Sequence, residues 1–153
     1  MSASFELRRA TPDDADAIRS LTRAAYAKWV ALSGREPQPM TADYEAAVRA
    51  HRFDLLYMDG ALAALIETVD EGDVLLVENV AVAPRHQGRG LGTRLMALAD
   101  EIARSEGKRR VRLYTNKLWA ENIALYQRLG YGIDREEPRA PGLVRVYMSK
   151  APG

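Results

Sequence analysis

The chain has 153 residues, a formal net charge of +1 and no cysteine. This length suits one domain that buries a core large enough to fold without a disulfide or metal. Its 47% hydrophobic and 28% charged residues are close to the averages of globular proteins, which argues against a disordered or fibrous chain. The absence of cysteine excludes disulfides, thiolate nucleophiles and cysteine-ligated metals. We therefore predict a single globular domain over residues 1–153.

Charge and hydropathy argue against several classes of partner. A nucleic-acid binder usually has a large basic excess, whereas this chain balances 22 Lys and Arg against 21 Asp and Glu. No segment approaches the ~18 apolar residues of a membrane span, and the N-terminus has no apolar signal core. The histidines are His51 and His86, too far apart for a metal-binding helix pair. These patterns favour a cytoplasmic protein without nucleic-acid, membrane or metal partners.

The first half of the chain predicts a strand, two helices and a β-hairpin. Phe5–Arg9 alternates apolar and polar residues, and Thr11-Pro12-Asp13-Asp14 is typical of a helix start. That helix ends before a segment rich in glycine and proline, after which Thr41 is predicted to cap a second helix. Asp59-Gly60 is a strong turn signal, and it lies between two strand-like runs, Phe53–Met58 and Ala61–Ile66.

The second half predicts alternating strands and helices. Its elements are a strand at Val74–Val82, a helix from about Gly90 to Ser105, a strand at Arg110–Tyr114, a helix from about Trp119 to Leu129, and final strands at Tyr131–Asp134 and Val144–Met148. A helix between two strands favours a parallel pair, while the short connections elsewhere favour antiparallel neighbours. The order predicts an α/β fold with a mixed, mostly antiparallel sheet flanked by helices.

The most informative segment passes from the end of a strand through a basic, glycine-studded turn into a helix. Gly88, Gly90 and Gly92 let the backbone turn tightly and bring its N–H groups close to a ligand. The following helix start adds unpaired N–H donors and a partial positive charge, so an anionic, phosphorylated ligand is expected. The G-x-G-x-G spacing matches neither the P-loop nor the dinucleotide fingerprint, which argues against a nucleotide-binding protein.

Gln87-Gly88-Arg89-Gly90-Leu91-Gly92 resembles the Q/R-x-x-G-x-G/A signature of the GNAT family of N-acetyltransferases, whose turn receives the pyrophosphate of acetyl-coenzyme A. Further segments resemble the family's second conserved block: Leu113–Asn116, Glu121–Tyr126 and Arg128–Tyr131. The matching elements cover about residues 74–149. The resemblance implies the single-domain GNAT fold and acetyl-coenzyme A as the acyl donor.

The resemblance also implies roles for individual residues. The pantetheine arm pairs with the backbone of Val80, Ala81 and Val82 like an added strand. The pyrophosphate lies against Gln87, Gly88, Arg89, Gly90, Leu91, Gly92 and Thr93. Asn122 and Tyr126 lie four residues apart and share a helix face. Asn122 contacts the cofactor, while Tyr126 is the candidate general acid for the departing thiolate.

Glu78 is the candidate general base. It lies two residues before Val80 on the same strand face, near the expected mouth of the acceptor cleft. Some GNAT relatives instead use a glutamate on the strand before the second block, where this chain has Tyr114. An acceptor-binding role for Glu78, with the amine deprotonated through water, is the open alternative.

The amine acceptor is the least determined part of the prediction. The resemblance places its site between the first helices and a loop at Glu136–Gly142, with five candidate substrate-binding residues: Tyr26, Met40, Tyr44, Glu78 and Arg139. The predicted activity is acetyl transfer to a primary amine of a small molecule, protein or peptide by direct attack. The alternative is a regulatory module that binds acyl-coenzyme A without catalysis. The retention of both Asn122 and Tyr126 argues against it. A homodimer is also left open.

Overall fold

The computed structural model describes residues 4–34 and 36–153, which form one sheet with helices on both faces. The strands are β1 Phe5–Arg9, β2 Arg52–Met58, β3 Ala61–Glu71, β4 Val74–Val82, β5 Arg110–Asn116, β6 Gly132–Ala140 and β7 Leu143–Lys150. The α-helices are α1 Ala15–Ser33, α2 Gln38–Thr41, α3 Tyr44–Ala50, α4 Leu91–Ser105 and α5 Ala120–Arg128. In this part of the chain, no helix has the length and apolar character needed to cross a membrane.

The sheet has seven strands in the order β1-β2-β3-β4-β5-β7-β6. Its neighbours are antiparallel except β4 and β5, which α4 connects as a parallel pair. A parallel pair needs such a crossover, because the chain must return to the starting edge before the second strand begins. The predicted α/β class with a mixed, mostly antiparallel sheet is confirmed.

The two faces of the sheet carry separate apolar cores. On one face, α4 buries Leu91, Leu95 and Ile102 against β4, β5 and β7; their separations of four and seven residues place them on one stripe of a helix. On the other face, Ile18 and Leu21 of α1 pack with α3, β2 and β3. Each helix thus buries one apolar face against the sheet.

The last hairpin differs from the prediction. The segment predicted as a loop, Glu136–Gly142, continues as strand β6 as far as Ala140, and only Pro141 and Gly142 form the turn. Proline is tolerated here because β6 is an edge strand, and the pairing register shifts between Pro138 and Ala140. The loop expected to contact an acceptor is therefore a paired strand.

The cap of the second predicted helix is also corrected. The cap of α3 is Asp43, whose carboxylate oxygen accepts hydrogen bonds from the N–H groups of Glu45 and Ala46 at 3.1 and 3.2 Å. Thr41 instead ends α2, where its hydroxyl donates to the carbonyl of Gln38. Both residue types cap helices, so only the chain path between α2 and α3 decides between them.

We predict that Asp43→Ala lowers the free energy of unfolding by about 1 kcal/mol, since it removes the acceptor of two helix N–H groups. In a domain of this size, that corresponds to a fall in Tm of about 2–4 °C. Thr41→Ala is the matched control and should change stability by less than about 0.5 kcal/mol. Urea unfolding followed by circular dichroism measures both. Equal losses for the two variants would contradict the assignment of the cap.

Candidate active site

The site is built where β4 and β5 separate. These strands pair only from Val74↔Arg110 to Leu76↔Arg112. On its other side, β4 pairs Val77 with Thr68 and Asn79 with Glu67, which leaves Glu78 as the extra residue of a β-bulge. A bulge increases the local twist of its strand, so β4 turns away from β5 beyond this point. Two cavities lie along the gap.

The first, here called the near cavity, has a volume of about 280 Å³. The glycine turn, β4, α1 and α5 form its walls, with lining residues that include Val80, Gln87, Gly90, Thr93, Asn122 and Tyr126. Asn122 and Tyr126 line the same cavity as the turn although about 30 residues separate them in the sequence. The fold therefore brings α5 to the same cavity as the N-terminus of α4.

The glycine turn has the backbone geometry of an anion site. Gly88 and Gly90 both have φ of +79°, a left-handed conformation that glycine adopts without strain. Gly90 is the N-cap of α4 and has no side chain to accept from the first N–H groups of the helix. Those N–H groups therefore remain available to a ligand at the positive end of the helix dipole.

Side chains around the turn support the same ligand chemistry. Lys28 of α1 lines the near cavity, and its Nζ lies 3.3 Å from Oε1 of Gln87. The Nδ1 atom of His86, which also lines this cavity, is buried without a hydrogen-bond partner among the described residues. Arg89, a predicted cofactor contact, is exposed and does not line the cavity. Lys28 is thus a better placed cation than Arg89.

The predicted backbone contacts of β4 divide into two groups. Val80 and Val82 line the near cavity, and their carbonyls accept from the Tyr26 hydroxyl at 3.2 Å and the Gln87 side-chain amide at 3.0 Å. Ala81 pairs with Leu65 of β3, is buried in the opposite core and does not line the cavity. Alternate residues of a strand face opposite ways, which explains the difference.

Tyr126, the predicted general acid, lines the near cavity. Its ring packs edge-on against Tyr131 with centroids 6.0 Å apart. Burial raises the pKa of Tyr126 to about 12, because the tyrosinate would lose its hydration. The hydroxyl therefore remains protonated at neutral pH, which is the form that a general acid needs.

The second cavity, here called the far cavity, has a volume of about 130 Å³. It lies between the α1–α2 connection and strands β5 and β7, with lining residues that include Tyr26, Pro37, Glu78, Tyr114, Trp119 and Arg145. The Tyr114 hydroxyl donates to Oε1 of Glu78 at 2.9 Å. Burial raises the pKa of Tyr114, and the charge of Glu78 raises it further, so the hydroxyl remains a donor.

A buried polar network holds the bulge between the two cavities. Tyr26 lines both, and its hydroxyl donates to Oδ1 of Asn79 at 2.9 Å. The Asn79 amide nitrogen in turn donates to the hydroxyls of Thr22 and Tyr44, each at 3.3 Å. Unsatisfied amide groups are costly when buried, so these bonds fix α1 and α3 relative to the bulge. The network therefore also holds Glu78 and Val80 in place.

Three of the predicted substrate-binding residues do not line the far cavity. Met40 is buried in the core, and Tyr44 is fully buried with its hydroxyl donating to the carbonyl of Pro39. Arg139 is exposed on β6, where it pairs with Glu137 at 2.6 Å. Met40 and Tyr44 are thus used in packing, and Arg139 is used in an ion pair on strand β6. Tyr26 and Glu78 do line the cavity.

Sequence reasoning missed several residues of the site. Lys28 and Arg145 are single basic residues without a motif, and only the fold brings them to the cavities.

Glu67 is buried, and its Oε2 lies 2.6 Å from Nδ1 of His51, while burial raises the pKa of this carboxyl. Neither His51 nor Glu67 lines the near or the far cavity.

Comparison with known families decides the classification. The model of the acetyltransferase (GNAT) family matches residues 16–131, about three quarters of the chain. The chain therefore belongs to the GNAT acetyltransferase family. The glycine turn and the block around Asn122 and Tyr126 both lie within the match. The resemblance read from these motifs is thereby confirmed.

Individual relatives of this GNAT protein differ in their acceptors. A stretch of 69 residues is 41% identical to N-alpha-acetyltransferase 80 of Mus musculus, covering 45% of this chain and 21% of that protein. The chain spans less than half the length of the curated relatives it matches. The crystal structure of nourseothricin acetyltransferase superposes with a TM-score of 0.75 at 26% identity, covering 97% of this chain and 99% of that one.

A third comparison concerns a structure with coenzyme A. The PaiA N-acetyltransferase of Thermoplasma acidophilum, solved in complex with coenzyme A, superposes with a TM-score of 0.75. It is 17% identical, and the alignment covers 97% of this chain and 99% of that one. At this identity, the likeness establishes the shared fold.

Proposed function

We propose that this GNAT protein transfers the acetyl group of acetyl-coenzyme A to the primary amine of a small molecule, protein or peptide by direct attack. One observation carries the proposal: the near and far cavities share Tyr26, and both are lined by residues of β4 beyond its last pair with β5. The near cavity contains Tyr126 and the far cavity contains Glu78. An acyl donor and an acceptor could thus approach one another from opposite sides.

The near cavity has features that suit coenzyme A. The pyrophosphate of coenzyme A would accept hydrogen bonds from the N–H groups at Gly88 to Thr93, with Lys28 beside it. The extended pantetheine arm would follow β4 past Val80 and Val82, where the strand no longer pairs with β5. The family match and the fold shared with a coenzyme A complex support this assignment.

In the proposed reaction the acceptor nitrogen loses two protons in turn and the departing sulfur gains one. The acceptor ammonium loses one proton, for which Glu78 is the nearby base, and its nitrogen then attacks the thioester carbon. The new C–N bond forms as the C–S bond breaks, and Tyr126 donates its proton to the departing sulfur. The nitrogen loses its second proton to water as the amide forms. Glu78 then returns its proton to water and the Tyr126 phenolate takes one proton back, so one proton is released for each ammonium acetylated.

Turnover with a panel of amines tests the proposal directly. We expect acetyl-coenzyme A to release free thiol in the presence of an accepted amine, with a product 42 mass units heavier, about the mass of one acetyl group replacing a proton. Calorimetry with coenzyme A provides a separate measure of binding. Coenzyme A binding without turnover of any amine or peptide would instead support the non-catalytic module. No binding at all would contradict the assignment of the near cavity.

We predict that Glu78→Gln lowers kcat by about 10²-fold, because the amide cannot accept the proton from the ammonium. The affinity for coenzyme A should remain unchanged, since Glu78 lines only the far cavity. Glu71→Gln is the matched control, because Glu71 pairs with Arg112 away from both cavities. Steady-state kinetics with a confirmed acceptor measure the effect. A higher KM with an unchanged kcat would identify Glu78 as an acceptor-binding residue instead of the base.

A further inference from the structure

The charged side chains that line the far cavity differ in whether an oppositely charged side chain pairs with them. Glu36 is paired with Arg23 at 2.8 Å. Glu78 has the neutral Tyr114 hydroxyl as its hydrogen-bond donor. Among the described residues of the lining, the remaining charged one is Arg145 on β7. A bound molecule would therefore meet one carboxylate and one guanidinium that retain their charges.

Arg145 has no carboxylate within ion-pair distance among the described residues. Its guanidinium instead stacks over the Tyr114 ring, with Cζ 4.3 Å from the centroid. The cross-strand neighbour of Arg145 is Glu137, but the oxygens of Glu137 accept from Arg135 and Arg139 at 2.6 Å each. A half-buried guanidinium without a carboxylate partner favours the binding of an anion.

A donor without a hydrogen-bond partner lines the same cavity. Trp119 is 9% exposed, and its indole Nε1 is buried without a hydrogen-bond partner among the described residues. Its ring stacks on Trp29 with centroids 5.3 Å apart, which fixes its position. Buried indole N–H groups usually have an acceptor, so this donor also points to a ligand with an oxygen acceptor.

Tyr114 fixes the distance between the two charges. Its hydroxyl holds Glu78, while its ring face carries the Arg145 guanidinium, so a single aromatic side chain separates the carboxylate from the cation. The cavity volume of about 130 Å³ is also below the ~300–1,000 Å³ typical of sites for drug-sized ligands. A small molecule with opposite charges a few bonds apart matches both features.

We propose that the acceptor is a small primary amine that also carries a carboxylate, as a free amino acid does. Its carboxylate binds Arg145 and the Trp119 indole, and its ammonium faces Glu78. This inference rests on the proposed acetyl transfer and specifies the substrate class of that site. It also explains why both an anionic and a cationic residue line a cavity of this size.

The test compares amines that differ in the carboxylate. L-leucine, L-leucinamide and isoamylamine share one side chain, and equivalent series start from L-methionine and L-phenylalanine. We expect kcat/KM to be at least about 10-fold higher for an amino acid than for its amide, because only the acid can pair with Arg145. The amide has the more easily deprotonated amine, so basicity alone would give the opposite preference.

Variants then assign the preference to Arg145. Arg145→Gln should reduce the ratio of acid to amide kcat/KM to about one, while coenzyme A binding is retained. Arg104→Gln is the control, because it removes one positive charge from an exposed position at the end of α4. This variant should keep the wild-type ratio. A purely structural role for Arg145 would lower kcat/KM for acid and amide equally, which would overturn the inference.

The comparison on the wild-type protein remains decisive even if Arg145→Gln does not fold. Acetylation of leucinamide or isoamylamine at least as fast as leucine would overturn the inference and leave the proposed acetyl transfer intact. The absence of turnover for every amine and peptide tried, despite coenzyme A binding, would overturn the proposed function and this inference with it. A preference for the acid in all three series supports both.

Discussion

Gly90→Asp is expected to lower the affinity of this GNAT protein for coenzyme A by at least about 100-fold, because placing like charges together costs several kcal/mol. The new carboxylate would lie at the N-terminus of α4, where the pyrophosphate is proposed to bind. It would also accept hydrogen bonds from the helix N–H groups and so remove them from the ligand. Isothermal titration calorimetry with coenzyme A measures the loss.

Gly72→Asp provides a matched control for this variant. Gly72 and Gly90 share a φ of +79°, and a Cβ added at either glycine would meet no atom within 4 Å. Both variants therefore introduce the same charge and a similar backbone strain, but Gly72 lies in the β3–β4 turn away from the near cavity. Gly72→Asp should bind coenzyme A like the wild type. Unchanged affinity in Gly90→Asp would show that the phosphates bind elsewhere.

Tyr126→Phe is expected to slow acetyl transfer by about 10²–10⁴-fold, because the departing thiolate loses its proton donor. The ring that packs against Tyr131 is retained, so the fold and the affinity for coenzyme A should change little. Because burial raises the pKa of Tyr126 to about 12, the donor role should persist throughout the neutral range and be lost only as the pH approaches that value. Single-turnover kinetics with a confirmed acceptor isolate the chemical step from product release.

Tyr131→Phe is the control for Tyr126→Phe. The Tyr131 hydroxyl is buried without a hydrogen-bond partner among the described residues, and Tyr131 does not line either cavity. Its removal should leave the rate of acetyl transfer unchanged and should not destabilise the protein, because no buried partner is left unsatisfied. If Tyr126→Phe reacts as fast as this control in single turnovers, Tyr126 is a packing residue and water protonates the thiolate.

The elements that the sequence predicted well are those with strong local signals. The Asp59-Gly60 turn has positive φ at both residues, as a two-residue hairpin turn requires. The apolar stripes of α1 and α4 are buried as their spacing indicates. The ends of two elements differ from the prediction: β6 continues to Ala140, and the cap of α3 is Asp43 instead of Thr41. Strand pairing and the path of the chain between elements decide where such elements end, and neither can be read from a short stretch of sequence.

The sequence by itself determined the fold class, the GNAT resemblance and the glycine turn, because these depend on periodicity and on short segments whose backbone chemistry is local. Only the tertiary structure decided which side chains share a cavity. Lys28 of α1 lines the near cavity, Tyr114 of β5 and Arg145 of β7 line the far cavity, and β4 with its bulge at Glu78 contributes residues to both. Contacts between residues distant in sequence depend on how β4 separates from β5, and no local pattern encodes that separation.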